Sequence, residues 1–278
     1  MSKRIAILTI LVLTLASGAW AGMVFTSTTT SEGGKGAQQA SSKVKGWANG
    51  DQAKVEFLES GNPMMAAGNY LVTKDGGKEV FLVNPKEKTY AKWDMEGMMQ
   101  MAGGAMKMMN MKFSDPVVER LGEEPDGLVA GLPTVHYKFR TTYTMSMSFM
   151  GMKTNSKSVQ EEDVWSAPKL VEMALGIWLR KAPPKLGDEN LDKLVKAEMD
   201  KIQGFPLKRV TVHTTTNEKG KTEVTKMTME VTSLEMAAVP ESTFAIPAGY
   251  KETSLFGGTG EEGKDGENPF AKLMGGKK

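Results

Sequence analysis

Apolar and polar residues alternate through much of the chain, and the alternation predicts β-strands. Ala53, Val55 and Phe57 interleave with Lys54 and Glu56. An apolar run at 69–73 stops at Lys74-Asp75-Gly76-Gly77. A second run at 80–83 stops at Asn84-Pro85, and the segment 89–93 follows. Short strands separated by such turns predict consecutive antiparallel hairpins. The longest alternation covers 134–149. Val135, Tyr137, Phe139, Tyr143, Met145, Met147 and Phe149 share one parity, while Thr134, His136, Lys138, Arg140, Thr142, Thr144, Ser146 and Ser148 share the other. This predicts one strand with an apolar face and a polar face. At ~3.3 Å per residue it would extend roughly 50 Å, too far to stay flat in a compact domain. Gly151 predicts a turn into a return strand that ends near Val164-Trp165. A later pair, 205–216 and 222–234, is joined by Asn217-Glu218-Lys219-Gly220.

Three segments carry helical spacing. Leu170, Met173, Ala174, Ile177 and Trp178 follow the i, i+3, i+4 rule until Pro183-Pro184. Asp188 can cap a second helix whose stripe is Leu191, Leu194, Val195, Met199 and Ile202, ended by Gly204 and Pro206. The third is 93–111, which holds eight of the 22 methionines. On a helix, Met95, Met98, Met99, Ala102, Ala105, Met106 and Met109 form one face, with Met101, Met108 and Met111 beside or behind it. Gly97, Gly103 and Gly104 each cost ~1 kcal/mol of helix propensity. A weak helix that is apolar all round needs cover on most sides. A second cluster, Met145, Met147, Met150 and Met152, ends the long strand.

The methionines admit three readings. They fill irregular gaps in a core; they form an adaptable apolar surface for a lipid, an acyl chain or an exposed protein segment; or their thioethers bind copper(I). No His or Cys neighbours the clusters.

Residues 1–21 join Lys3 and Arg4 to an apolar run over 5–16 and to Ala19-Trp20-Ala21. This predicts a secretory signal cleaved after about Ala21. The segment holds two basic residues and no acidic one, so its removal takes the formal charge from +2 to zero. No basic excess then argues for nucleic acid. The absence of Cys excludes disulfides, thiolate chemistry and a lipid-modified N-terminal Cys. The expected product is periplasmic or secreted, with no stable membrane anchor after cleavage. From Lys251 the chain is rich in Gly, Glu and Lys, which predicts disorder over 251–278.

His136 falls on the polar parity of its strand, and His213 on the parity opposite Val210 and Val212. Both are expected to be solvated. Glu161-Glu162-Asp163 alternate faces and read as a solvated hairpin. Gly33-Gly34-Lys35-Gly36 reads as a hairpin turn, without the helix start of a phosphate loop. No nucleophile elbow, paired-carboxylate motif or zinc signature is present. The expectation is no enzyme, no cofactor and no metal site.

A set of phrases carries a resemblance. They are Lys45-Gly46-Trp47 with Gln52-Ala53-Lys54-Val55-Glu56, Tyr70 through Gly77, and Val80 through Tyr90. Gly131-Leu132-Pro133-Thr134, Gly204-Phe205-Pro206 and Phe244 through Tyr250 complete the set. In this order they resemble an exported family of unknown function related to the LolA/LolB-like periplasmic lipoprotein-carrier fold. The resemblance covers roughly 22–250 and implies a single LolA-like domain there. It implies an α+β fold: a strongly curved antiparallel sheet, an incomplete β-barrel, with helices covering its concave face. In carriers that cavity accepts acyl chains of lipoproteins.

The expected function is a non-enzymatic extracytoplasmic binder of a hydrophobic small molecule, a lipid or a lipoprotein. The expected ligand-binding residues are Met95, Met98, Met99, Met101, Met106, Met109, Tyr143, Met145, Met147 and Phe149. The alternatives are a methionine-based copper(I) protein, and an envelope structural or sensor module that binds a protein partner.

Overall fold

The computed structural model describes residues 22–34, 41–93, 97, 110–149, 152–173, 183 and 189–255. The strands are β1 (Met23–Glu32), β2 (Ser42–Asn49), β3 (Gln52–Ser60), β4 (Tyr70–Thr73), β5 (Phe81–Asn84) and β6 (Thr89–Lys92) in the first half. The second half holds β7 (Lys112–Val129), β8 (Leu132–Phe149), β9 (Met152–Ala167), β10 (Phe205–Asn217), β11 (Thr222–Met236) and β12 (Lys251–Glu252). All twelve lie in one sheet, in the order β12-β6-β5-β4-β3-β2-β1-β11-β10-β9-β8-β7. Neighbours pair antiparallel except β12, which lies parallel to β6. The sheet is open: β12 and β7 are its two edges.

The chain thus makes two antiparallel runs, β1–β6 and β7–β11, joined where β1 pairs with β11; within the second run β9 and β10 are linked by residues 168–204 rather than by a tight turn. Local chemistry sets the turns. Ala130 and Gly131 both take positive φ between β7 and β8, the backbone of a tight two-residue hairpin that twists with its strands. Asn217 Oδ1 accepts from the Lys219 and Lys221 amides in the β10–β11 turn.

Alternation sorts the side chains onto two faces. One face carries Met23, Phe25, Phe205, Leu207 and Val231, all buried, with Met229, Leu234 and Met236 packed against them. It continues into Ala53, Phe57, Leu71 and Val80 on one side and into Tyr137, Phe139 and Val164 on the other. The opposite face buries Tyr70, Val72 and Val83 beneath Val239 and Phe244. Those last two come from the segment after β11, so the chain's own C-terminal turn covers that face.

Several expectations need correction. The sheet is larger and barer than the α+β expectation of helices over a concave face. Among the described residues one α-helix forms, α1 (Glu189–Asp200). At the start of the helix expected from Leu170, residues Pro168–Met173 make a 3₁₀ turn kinked at Leu170; Ala174, Ile177 and Trp178 lie outside the described residues. Leu170 is buried in the core beside Phe205. Strands β1, β2 and β7 go beyond the strands that the alternation predicts. Lys251 and Glu252 stand at the start of the segment expected to be disordered, yet they form β12, with Lys251 N donating to Lys88 O and Thr253 N to Tyr90 O. The Gly33-Gly34 pair follows β1, as its reading as a turn requires, with both φ angles positive.

The Phe25 ring lies across Gly46 of β2, so that a Cβ at 46 would fall inside the ring. Phe25 is held from its other side by an edge-on contact with Phe205, centroids 5.2 Å apart. It has nowhere to retreat. Gly46→Ala is expected to cost about 1–3 kcal/mol, the usual price of overpacking, and urea denaturation reads the loss. The same substitution at Gly50, where a Cβ meets nothing within 4 Å, isolates the strain of positive φ from that of crowding.

Candidate functional site

The sequence placed its candidate residues in two groups. Met95, Met98, Met99, Met101, Met106 and Met109 lie outside the described residues. Tyr143, Met145 and Met147 lie on β8, half-buried, and Phe149 is its last residue. Strand alternation puts Tyr143, Met145 and Met147 on the face that carries α1.

Helix α1 builds the second wall. Glu189 and Asp192 in its first turn oppose the helix dipole. Its side chains Glu189, Lys193, Lys196 and Asp200 stand in solvent and pair as Lys193–Glu189 and Lys196–Asp200. The stripe Leu191, Leu194, Val195 and Met199 therefore turns inward, and yet α1 has no fully buried residue. Polar contacts hold it in place. Asn190 Nδ2 donates to Phe113 O at its start. Glu198 accepts from Thr141 Oγ1 at 2.7 Å. Lys201, just past its end, reaches Glu162 and Glu198.

These last contacts form a buried ion cluster. The Glu162 and Lys201 side chains are 3% and 4% exposed. Arg209 adds a guanidinium 3.9 Å from Glu162, and Thr211 Oγ1 donates to Glu162 at 3.3 Å. The Lys201 ammonium also lies over the Phe139 ring. Two acids and two bases balance, as burial requires. The next rung along the sheet is aromatic. Tyr143 packs at 5.9 Å from Phe113 and at 6.5 Å from the His213 ring, with Tyr143 Oη and His213 Nε2 3.5 Å apart. Met145 is the register partner of Phe113, and the polar groups of Ser158 and Gln160 share the floor on β9.

Neither histidine is solvated as expected. His136 is buried, stacked on Trp165 with centroids 4.2 Å apart, and its Nε2 lies 2.8 Å from Asp163 Oδ1. His213 is half-buried, and burial lowers its pKa from 6.5. The acidic triplet does alternate, but it does not all reach solvent: Glu161 bonds Arg140 outside, while Glu162 is the buried anchor of α1. Alternation alone could have separated Glu162 from its neighbours. Nothing local marks Lys201 or Arg209 as its partners, because they arrive from 39 and 47 residues away.

A half-open cleft of about 300 Å³ lies elsewhere, lined by Val72, Thr73, Lys74, Asp75, Glu79, Phe81, Phe244 and Ile246. Its rim is already engaged. Burial would raise the Asp75 pKa, but amides of Glu79 and Lys78 and the Thr73 hydroxyl donate to its carboxylate and lower it. Glu79 pairs with Lys92 at 2.8 Å. Among the described residues no group of three or more His, Asp or Glu is placed to hold a metal ion. No described helix is long and apolar enough to cross a membrane.

Two outcomes follow from this geometry. Lys201→Met leaves Glu162 buried without its nearest cation and is expected to cost about 3–5 kcal/mol in urea denaturation. His213 should titrate below 6.5 in the folded chain by NMR. The unfolded chain takes up that proton first as pH falls, so stability drops as pH falls through 6.5 toward the folded value. Replacing His213 with Gln should flatten that part of the pH profile.

The matched region spans most of this architecture. A family model for a domain of unknown function, DUF4412, matches residues 35–250, from the β1–β2 connection to the end of the C-terminal turn. No curated protein matches the chain. By the extent of that match, the chain belongs to the DUF4412 family.

Proposed function

We propose that this chain is a non-enzymatic, extracytoplasmic binding protein for a hydrophobic ligand such as a lipid or acyl chain. One observation carries the reading. An amphipathic helix lies over a sheet face that presents half-buried Tyr143, Met145 and Met147, and none of its own residues is fully buried. Apolar surface left half-covered on both walls gains ~25 cal/mol for each Å² that a ligand removes from water. Unbranched methionines adapt to varied shapes. The signal-like composition of 1–21 supports an extracytoplasmic location.

Native mass spectrometry of the full chain, expressed in an exporting host and isolated from its envelope fraction, tests the reading. A bound lipid that organic extraction removes is expected. A clean unliganded mass, together with no binding of a neutral apolar dye, would sink the proposal. Met145→Asp with Met147→Asp should weaken dye binding by about tenfold or more, since a charge in an apolar groove is costly. Leucine at both positions keeps the apolar strip and should retain binding. Loss of binding in the leucine variant would instead indicate thioether chemistry, the mark of a soft metal.

A further inference from the structure

The half-open cleft beside the C-terminal turn is built on one row across the sheet. Val72 on β4 is the register partner of Phe81 on β5, and Phe81 is the partner of Lys92 on β6. Residues directly opposed across strands share a face, here the face that the C-terminal turn covers. Phe244 and Ile246 of that turn pack against the same cluster and complete an apolar interior. The cleft measures about 300 Å³. An apolar cavity of ~150 Å³ takes a benzene ring, so this one has room for a ring with a short arm.

The mouth carries two carboxylates, Asp75 and Glu79. The β4–β5 turn fixes the first. Thr73 Oγ1 accepts from Gly77 N and donates to Asp75 Oδ1, both at 3.0 Å. Glu79 N donates to both Asp75 oxygens, at 3.0 and 3.2 Å. Burial acts to raise the Asp75 pKa, but these donors outweigh it and lower it, so the group is charged at neutral pH. The donors are amides and a hydroxyl, which orient the charge without cancelling it. Lys92 Nζ on Glu79 Oε1, at 2.8 Å, shows how an ammonium seats on this rim. Lys74 also lines the mouth, but it is exposed. An anionic ligand would have to immobilise that long side chain, at a cost in rotamer entropy. A cationic ligand meets a carboxylate that is already in place.

We infer that this cleft binds a small primary amine with an aromatic body, its ring among Val72, Phe81, Phe244 and Ile246 and its ammonium on Asp75. The site is separate from the β8 strip, and the inference does not rest on the hydrophobic-ligand reading.

Three probes share a phenyl ring and a short arm: phenethylamine, phenethyl alcohol and hydrocinnamate. At neutral pH they are a cation, a neutral molecule and an anion. Each is titrated into the isotope-labelled full chain, where amide NMR shifts report both affinity and place. The amine is expected to saturate at about millimolar concentration, with shifts over residues 72–81 and 244–246. It should bind about tenfold or more tighter than the alcohol or the anion. Equal or tighter binding of either of those would overturn the inference. So would shifts that fail to saturate or that fall elsewhere on the chain. Asp75→Asn keeps an acceptor for Thr73 and Glu79 and removes the charge. It should bring the amine to within about twofold of the alcohol. A tenfold preference that survives in the folded variant would overturn the role of Asp75. The wild-type comparison decides the ligand class even if that variant does not fold.

Discussion

The pairing of β1 with β11 holds the two halves of this protein together. The β1–β6 run pairs strand by strand in chain order, and so does the β7–β11 run, with α1 and its flanking segments between β9 and β10. Only the ladder between Met23–Glu32 and Lys226–Met236 makes them one sheet. The main core cluster straddles that ladder: Met23 and Phe25 come from one side, and Val231, Phe205 and Leu207 from the other. A slip of one residue would turn Phe25 to the opposite face and expose it. The register carries one correction. A bulge leaves Thr232 unopposed, with its hydroxyl donating to Thr26 O. It lets Leu234 and Met236 join Met227, Met229 and Val231 on the same face although their parity differs. The break in alternation along β11 is thus a structural device.

The faces of the sheet are covered by different means. The opposite face is closed by the chain's C-terminal turn, where Phe244 is fully buried. The α1 face is closed in polar fashion around the Glu162–Lys201 pair. Such a pair contributes little net stability over an apolar replacement, but it fixes geometry, because each misplacement leaves a charge unmatched. Here it fixes where the C-terminal end of α1 sits over β8 and β9. The helix's apolar stripe meets the sheet without burying any one residue of α1.

An open sheet must also guard its edges. β12 is two residues long. β7 is long, but Pro116 and Pro125 cannot donate from it, and Asp115 takes a positive φ. Its register shifts three times against β8. Glu119, Glu123, Glu124 and Asp126 add acidic charge along it. These features discourage edge-to-edge pairing, and they are also what makes the strand hard to recognise. A stretch containing Glu-Glu-Pro-Asp-Gly reads as a loop by propensity. It becomes a strand because β8 offers an ordered ladder beside it.

Local pattern alone marked strands β3–β6, the long strands β8 and β9, the β10–β11 pair and helix α1. In each, a local period of 2 or 3.6 and a turn or cap residue point the same way. It also placed Tyr143, Met145 and Met147 on one face, because alternation is a property of the strand alone. It could not show β1, whose run of Ser and Thr has little apolar contrast, β2, whose one parity is only Val44, Gly46 and Ala48, or β7, which owes its strand form to its neighbour. Solvation was the other failure. His136 and His213 look exposed by parity, yet one is stacked on Trp165 and the other packed beside Tyr143. Only the tertiary structure decided that Glu162, Lys201, Glu198 and Arg209 converge. Their attraction acts between side chains distant in sequence, and no local pattern encodes a charge balance closed across three separate elements.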